Sequence, residues 1–149
     1  MILSDAYVLT APGMAKKVSD LKVGDMILGI EIPIQNGYPV KPVEVSSIET
    51  KTAKAYKAND MIVSVDAELV LENTESQSPV LDMKVFSLHG SDSDYVFDPI
   101  YSLEELDEKE FLKISTKHNT YFAGPTEKGP FFLFYSRSNI VAAPKKKKK

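Results

Sequence analysis

The side chains best suited to binding a metal ion are carboxylates gathered between positions 92 and 110. Asp92, Asp94 and Asp98 come first, and five more acidic residues follow before position 111. Asp92 and Asp94 have the spacing of the first two ligands of an EF-hand loop, in which oxygen ligands bind Ca²⁺. Phe97 stands where that loop needs glycine, and no bidentate glutamate follows at the required spacing. The run therefore favours a solvated acidic segment, and no metal site is predicted.

Nucleophilic, acid–base and redox chemistry most often uses cysteine or histidine, and the chain has no cysteine and two histidines. The absence of thiols excludes a disulfide scaffold, a CxxC redox centre, a thiolate zinc site and a cysteine nucleophile. His89 stands at the end of a predicted strand, where an isolated histidine is more often structural than reactive. No glycine-rich phosphate-binding motif is present. We therefore predict no cofactor and no small-molecule substrate.

Length, composition and charge are typical of one folded domain with an unusual end. The 149 residues are 43% hydrophobic and 26% charged, which is enough apolar material for a packed core. The formal net charge is −3, and without the five lysines of residues 145–149 it is −8. We predict a domain over residues 1–144 and a disordered lysine tail over 145–149. The acidic body repels nucleic acid, so binding of DNA or RNA through the tail is kept only as an alternative.

Two further patterns bear on location. No apolar run approaches the roughly 20 residues needed to span a bilayer. Residues 1–13 lack the basic start and apolar stretch of a signal peptide. We therefore expect a soluble protein that is cytoplasmic or part of a virion.

Strands dominate the pattern of apolar residues along the chain. Apolar side chains recur mostly with period two in short runs separated by turn residues. Predicted strands include residues 6–10, 61–65, 69–71, 80–88 and 131–135, and Asn36-Gly37 has the composition of a hairpin turn. One short peripheral helix is predicted from residue 102 to 112, because Ser102 and Glu105 have capping-box spacing and Leu103 and Leu106 continue a helical face. The fold class is therefore all-β.

The last predicted strand is apolar on both faces. Phe131, Phe132, Phe134 and Tyr135 leave no polar side for solvent, so the strand must be covered twice. The cover could come from the same domain or from a partner chain. These four residues are therefore candidate partner-binding residues.

Three segments resemble a known family. Residues 1–13 (MILSDAYVLTAPG) and 18–28 (VSDLKVGDMIL) are similar to the first half of a Hint domain, the module shared by inteins and Hedgehog autoprocessing regions. Residues 111–124 (FLKISTKHNTYFAG) resemble the penultimate conserved block of that family. The matches cover about a third of the chain in the expected order. The resemblance implies a twisted horseshoe of antiparallel strands.

The family's opening chemistry has no counterpart at the matching positions. The resemblance implies a cysteine or serine at the first position, which attacks the preceding carbonyl to form a thioester or an ester. Met1 stands there instead, and a thioether has no proton to lose and forms no acyl intermediate. Ser4 is the nearest hydroxyl, three residues late. The histidine that polarises the scissile amide is matched by Glu68, so that position is degenerate too.

The family's last step requires a terminal His-Asn pair whose asparagine cyclises and releases the downstream chain. His118-Asn119 is such a pair by sequence, but it lies in the penultimate block, and cleavage there would remove the apolar strand 131–135. Asn139 stands nearer the expected end, but Ser138 replaces its histidine. A structural role for His118 and Asn119 is therefore favoured over cleavage.

These observations predict a non-catalytic structural or interaction module that binds other protein subunits. The resemblance implies a component of a phage virion, in its neck, baseplate or tail. Two alternatives stay open: a self-cleaving domain acting at Asn119 or Ser4, and a nucleic-acid binder that uses the lysine tail.

Overall fold

The structure is a computed structural model that describes residues 1–31, 39–89, 91–92 and 94–137. Within these ranges the chain forms β-strands and one 3₁₀ turn at Val18–Asp20, with no α-helix. The strands are β1 Tyr7–Ala11, β2 Met14–Lys17, β3 Met26–Ile30, β4 Val40–Ala58, β5 Met61–Ser64, β6 Glu68–Val70, β7 Ser76–Gln77, β8 Lys84–Leu88, β9 Val96–Pro99, β10 Leu103–Thr116, β11 Thr120–Gly124 and β12 Phe131–Tyr135. The predicted all-β class is confirmed.

The strands form two antiparallel sheets. The larger has eight strands in the order β2-β1-β11-β12-β6-β7, with β8 also pairing with β12 and β9 pairing with β8. The smaller has the order β10-β4-β3, with β5 added along β4. Its main feature is the long ribbon in which β10 runs against β4 from Leu103 opposite Ala58 to Thr116 opposite Val45. No helix among the described residues is long and apolar enough to cross a membrane.

The hairpin of β11 and β12 lies between two hydrophobic clusters. Side chains alternate along each strand, so Tyr121 and Phe134 enter one cluster while Phe122 and Leu133 enter the other. The double cover predicted for residues 131–135 is thus supplied by the chain's own elements. Phe131, Phe132 and Phe134 are at most 2% exposed, so the structure places them in the core and not at a surface open to a partner. Tyr135 is the member of this group that remains partly exposed.

The two sheets are joined by a buried threonine. The Thr120 hydroxyl on β11 donates to the Ile30 carbonyl oxygen and accepts from the Ile30 amide at 2.9 Å, on β3 of the smaller sheet. Gly29 makes this approach possible, because a Cβ at that position would lie 2.8 Å from the Thr120 carbonyl oxygen. This contact links residues 90 positions apart in the sequence.

The helix predicted over residues 102–112 is wrong. The segment belongs to β10, where Leu103 pairs with Ala58 and Leu106 with Ala55. The register shifts between Leu106 and Lys109, where the exposed Asp107 and Glu108 form a bulge. Hydrogen bonds to β4 and burial against the core outweigh a local helix preference that is weak in a segment this short.

Most of the strand predictions are confirmed within one or two residues. Residues 131–135 match β12, and residues 61–65 and 69–71 correspond to β5 and β6. The prediction for residues 80–88 is correct only in its second half, because β8 begins at Lys84 after a turn. The predicted hairpin at Asn36-Gly37, the lysine tail 145–149 and Asn139 lie outside the described residues.

Candidate functional site

The first residue is held between the two arms of the smaller sheet. Ile2 forms β-bridges to Val63 on β5 and to Leu112 on β10. The Met1 nitrogen donates to Ser64 Oγ at 2.8 Å, and the Met1 carbonyl oxygen accepts from the Ser64 amide at 3.0 Å. These contacts together fix the position and direction of the backbone at residue 1.

A cleft of about 320 Å³ opens beside Met1. The connection after β5 and the end of β12 form two of its walls, and the β4–β10 ribbon forms the third. Its lining residues are Met1, Lys51, Asp66, Ala67, Glu68, Lys113, Tyr121, Phe134, Tyr135, Ser136 and Arg137. We call this space the Met1 cleft.

Charge of both signs lines the Met1 cleft. Burial lowers the pKa of the Met1 amino group to about 6, with Asp66 opposing the shift and Lys113 adding to it. Arg137 donates to the Tyr135 hydroxyl at 3.3 Å, and this hydrogen bond together with the charge of Glu68 raises the pKa of Arg137. Glu68 also accepts a hydrogen bond from Ser76 Oγ at 2.6 Å. Glu68 is thus held by a hydrogen bond, whereas Asp66 acts on the Met1 amino group through its charge alone.

Two of the positions predicted from the sequence meet in this cleft, and three do not. Met1 and Glu68, the two degenerate positions, both line it. Ser4 lies on an exposed turn, where its carbonyl oxygen accepts from the Ser19 amide at 2.9 Å, and it is not among the lining residues. Its hydroxyl is therefore not positioned at the backbone of residue 1.

His118 and Asn119 form the turn of the β10–β11 hairpin. Asn119 has φ 64°, and its amide donates to the Thr116 carbonyl oxygen at 3.1 Å. The Asn119 carbonyl oxygen accepts from the Ser136 amide at 2.8 Å, and His118 Nδ1 lies 3.9 Å from Glu31 Oε1. Asparagine tolerates this left-handed conformation better than most residues, so the turn itself accounts for its presence.

His89 lies at a second, mostly apolar cleft of about 240 Å³. Its Nε2 is hydrogen-bonded to Asp98 Oδ2, and Tyr101, Pro125 and Phe132 are among the other lining residues. Among the acidic residues between positions 92 and 110, Asp98 is the one that contacts His89. The described residues contain no group of three histidine or carboxylate side chains placed to hold a metal ion.

Several residues of the Met1 cleft and its surroundings were missed by sequence reasoning. Ser64, Lys51 and Lys113 come together only because β4, β5 and β10 pair over long sequence distances. The ring of Tyr121 is buried in the core, and the residue also lines the cleft. No local pattern marks these residues, since strand register alone brings them together.

The chemistry available in the Met1 cleft depends on these side chains. Neither His89 nor His118 lines it, and the side chain of residue 1 is a thioether. Ser136 lines the cleft, and the buried Ser64 hydroxyl accepts from the Met1 nitrogen beside it, but no lining residue offers an imidazole to take a proton from either hydroxyl. Within the described part of the chain, the cleft is equipped to hold polar groups in place and lacks an activated nucleophile.

Comparison with known proteins identifies the fold. No protein-family model matches the chain, and no curated protein sequence matches it. Among solved structures, a DnaB intein from Synechocystis sp. PCC 6803 is similar at a TM-score of 0.67 with 14% identity, covering 92% of this chain and 98% of that one. The gp41-1 intein is similar at a TM-score of 0.64 with 19% identity, covering 91% and 97%. A splice-inactive variant of the AceL NrdHF class 3 split intein is similar at 0.72 with 14% identity, covering 92% and 98%.

These similarities extend over most of the chain and lie at low sequence identity. They show that the chain has the Hint fold of intein splicing domains, as the three sequence segments predicted.

Proposed function

We propose that this chain is a non-catalytic Hint-fold module that connects protein subunits in a larger assembly. The observation that carries the proposal is the Met1 cleft, in which a thioether replaces the nucleophile and no imidazole is found among the described lining residues. A Hint scaffold without a nucleophile and a proton-transferring group can position chains and cannot exchange an acyl group.

The exposed apolar side chains support binding to another protein. Five of the eight large ones among the described residues fall between positions 80 and 101: Val80, Leu81, Val96, Phe97 and Tyr101. Val96 and Phe97 belong to β9, which among the described strands pairs with β8 alone and so leaves an open strand edge. Open edges and exposed aromatic residues are frequent at protein interfaces. We favour the neck, baseplate or tail of a phage virion as the assembly, with a cytoplasmic complex as the other setting.

The proposal is tested by placing a folded reporter domain before Met1 and following the intact mass of the fusion during long incubation. Thiol or hydroxylamine is added in parallel, because these reagents cleave thioesters and esters. We expect the full-length mass to persist under all conditions. Release of the reporter at the Met1 junction, or fragments ending at Asn119, would contradict the proposal.

A second candidate function is self-processing, and the hydroxyls near residue 1 favour it. Ser64 Oγ lies 2.8 Å from the Met1 nitrogen, which is where the nitrogen of a scissile amide would lie. Ser64→Ala and Ser136→Ala in the same fusion are the matched variants. If cleavage occurs and either variant abolishes it, the second candidate replaces the first.

A further inference from the structure

The β4–β10 wall of the Met1 cleft carries two lysines on neighbouring strands. Lys51 pairs with Phe111, and Lys113 stands two positions further along β10. Residues so placed are diagonal neighbours on one face of a ribbon, with backbones about 7–8 Å apart, which long side chains can span. Both lysines line the cleft, so their ammonium groups can converge on one small ligand.

Neither lysine is neutralised within the described part of the chain. The ion pairs found there join other residues, and none includes Lys51 or Lys113. Glu68 accepts a hydrogen bond from Ser76 and lies near Arg137, whereas Asp66 lines the cleft without an ion pair or side-chain hydrogen bond among the described residues. Glu49 lies directly opposite Lys113 on β4 but does not line the cleft, so the charged lining residues of this wall are the two lysines.

Tyr121 adds a hydrogen-bond donor at the cleft. Its side chain is 1% exposed, and its ring stacks on Phe134 with centroids 5.5 Å apart. Among the described residues its hydroxyl has no hydrogen-bond partner. Burial raises its pKa well above the ordinary range, so the hydroxyl keeps its proton. The hydroxyl is not among the fully buried side-chain atoms left without a partner, so it keeps a small exposed surface, and Tyr121 lines the same space as the lysines.

We propose that the Met1 cleft binds a compact oxyanion, a carboxylate or a phosphate, between Lys51, Lys113 and the Tyr121 hydroxyl. Two cations balance the charge of the ligand, and the hydroxyl donates to one of its oxygens. The ring of Tyr121 is fixed by its stacking, so the donor is already oriented before binding. This site goes beyond the proposed function, because it needs only the described cleft and holds whether or not the chain processes itself.

The test is a titration of the full chain with inorganic phosphate and, separately, with acetate, followed by ¹H–¹⁵N NMR at constant low ionic strength. We expect saturable shifts at Ile2, Ala67, Tyr121 and neighbouring amides, with chloride as the ionic-strength control. If the affinity for phosphate exceeds the affinity for acetate, the cleft is a phosphate site. If acetate binds at least as tightly as phosphate, the cleft is a carboxylate site. Added salt should weaken both.

Matched variants separate the proposed contacts from general charge. Lys51→Gln and Lys113→Gln should each weaken binding at least about tenfold, and Tyr121→Phe, which keeps the stacked ring, roughly fivefold or more. Lys54→Gln removes an equal charge from the same strand, outside the lining residues, and should leave affinity within about twofold.

Two results would overturn the proposal. One is the absence of saturable shifts at the cleft with either anion. The other is an equal loss on Lys54→Gln and on the two cleft variants, which would indicate non-specific attraction. The titration measures anion binding and does not involve cleavage. A failure to bind would therefore not change the interpretation of the reporter-fusion experiment.

Discussion

Replacing Thr120 by valine should destabilise the protein strongly while leaving its shape unchanged. Valine matches threonine in size, but it removes the hydroxyl that both donates to and accepts from Ile30. The Ile30 amide and carbonyl oxygen would then be buried without partners in the seam between the two sheets. The β propensity of the two residues is similar, so the missing hydroxyl dominates the change.

The magnitude can be worked out from the cost of the two orphaned groups. Each unsatisfied buried polar group costs about 1–3 kcal/mol, and the added methyl group recovers up to about 1 kcal/mol of this. We therefore expect a loss of about 3 kcal/mol in the free energy of unfolding. For a chain of this size the loss corresponds to a fall of about 6–12 °C in Tm.

Urea denaturation and thermal unfolding measure this loss, with two control variants. Thr120→Ser keeps the hydroxyl and removes one methyl group, which should cost about 1 kcal/mol. Thr52→Val changes an exposed threonine on β4 and should stay within about 0.5 kcal/mol of the original. If Thr120→Val proves no more costly than Thr120→Ser, the hydroxyl does not join the two sheets.

Three further predictions concern the backbone and the amino terminus. Gly29→Ala should lower the unfolding free energy by about 1–3 kcal/mol in urea melts, because its Cβ would meet the Thr120 carbonyl oxygen at 2.8 Å. For the chain with a free Met1 amine, the unfolded state binds the extra proton between the folded pKa of about 6 and the unfolded value of 8.0. Stability should therefore rise as pH increases through this interval, by at most about 2–3 kcal/mol, and acetylation of the amine should flatten the profile. Asn119→Gly should keep Tm within a few degrees because glycine adopts φ 64° freely, whereas Asn119→Val should lower Tm clearly.

The strands were predictable where their signals are local. The apolar residues of β12 and β5 are flanked by turn formers, so both strands could be predicted from the sequence. The start of β10 has the local features of a helix, with Leu103 and Leu106 three residues apart, and it is a strand because it pairs with β4, which lies far away in the sequence. The apolar pattern along β10 does not indicate which strand it pairs with.

The site was predictable only in part for a related reason. Met1 and Glu68 were located through the resemblance of whole segments, and the structure brings both to one cleft. Lys51 and Lys113 were not singled out, because their proximity depends on the register of β4 against β10. The surroundings of the Tyr121 hydroxyl likewise depend on tertiary packing.

The central position of the β11–β12 hairpin has a consequence for synthesis on the ribosome. β1 pairs with β11, so the strand Tyr7–Ala11 must wait until Thr120–Gly124 has been made before it gains that neighbour. Until then the eight-stranded sheet of the nascent chain lacks its central strands β11 and β12. The apolar faces of the strands already made are therefore accessible to chaperones and proteases. Resistance to proteolysis should therefore arise late and abruptly, when residues 120–135 leave the exit tunnel.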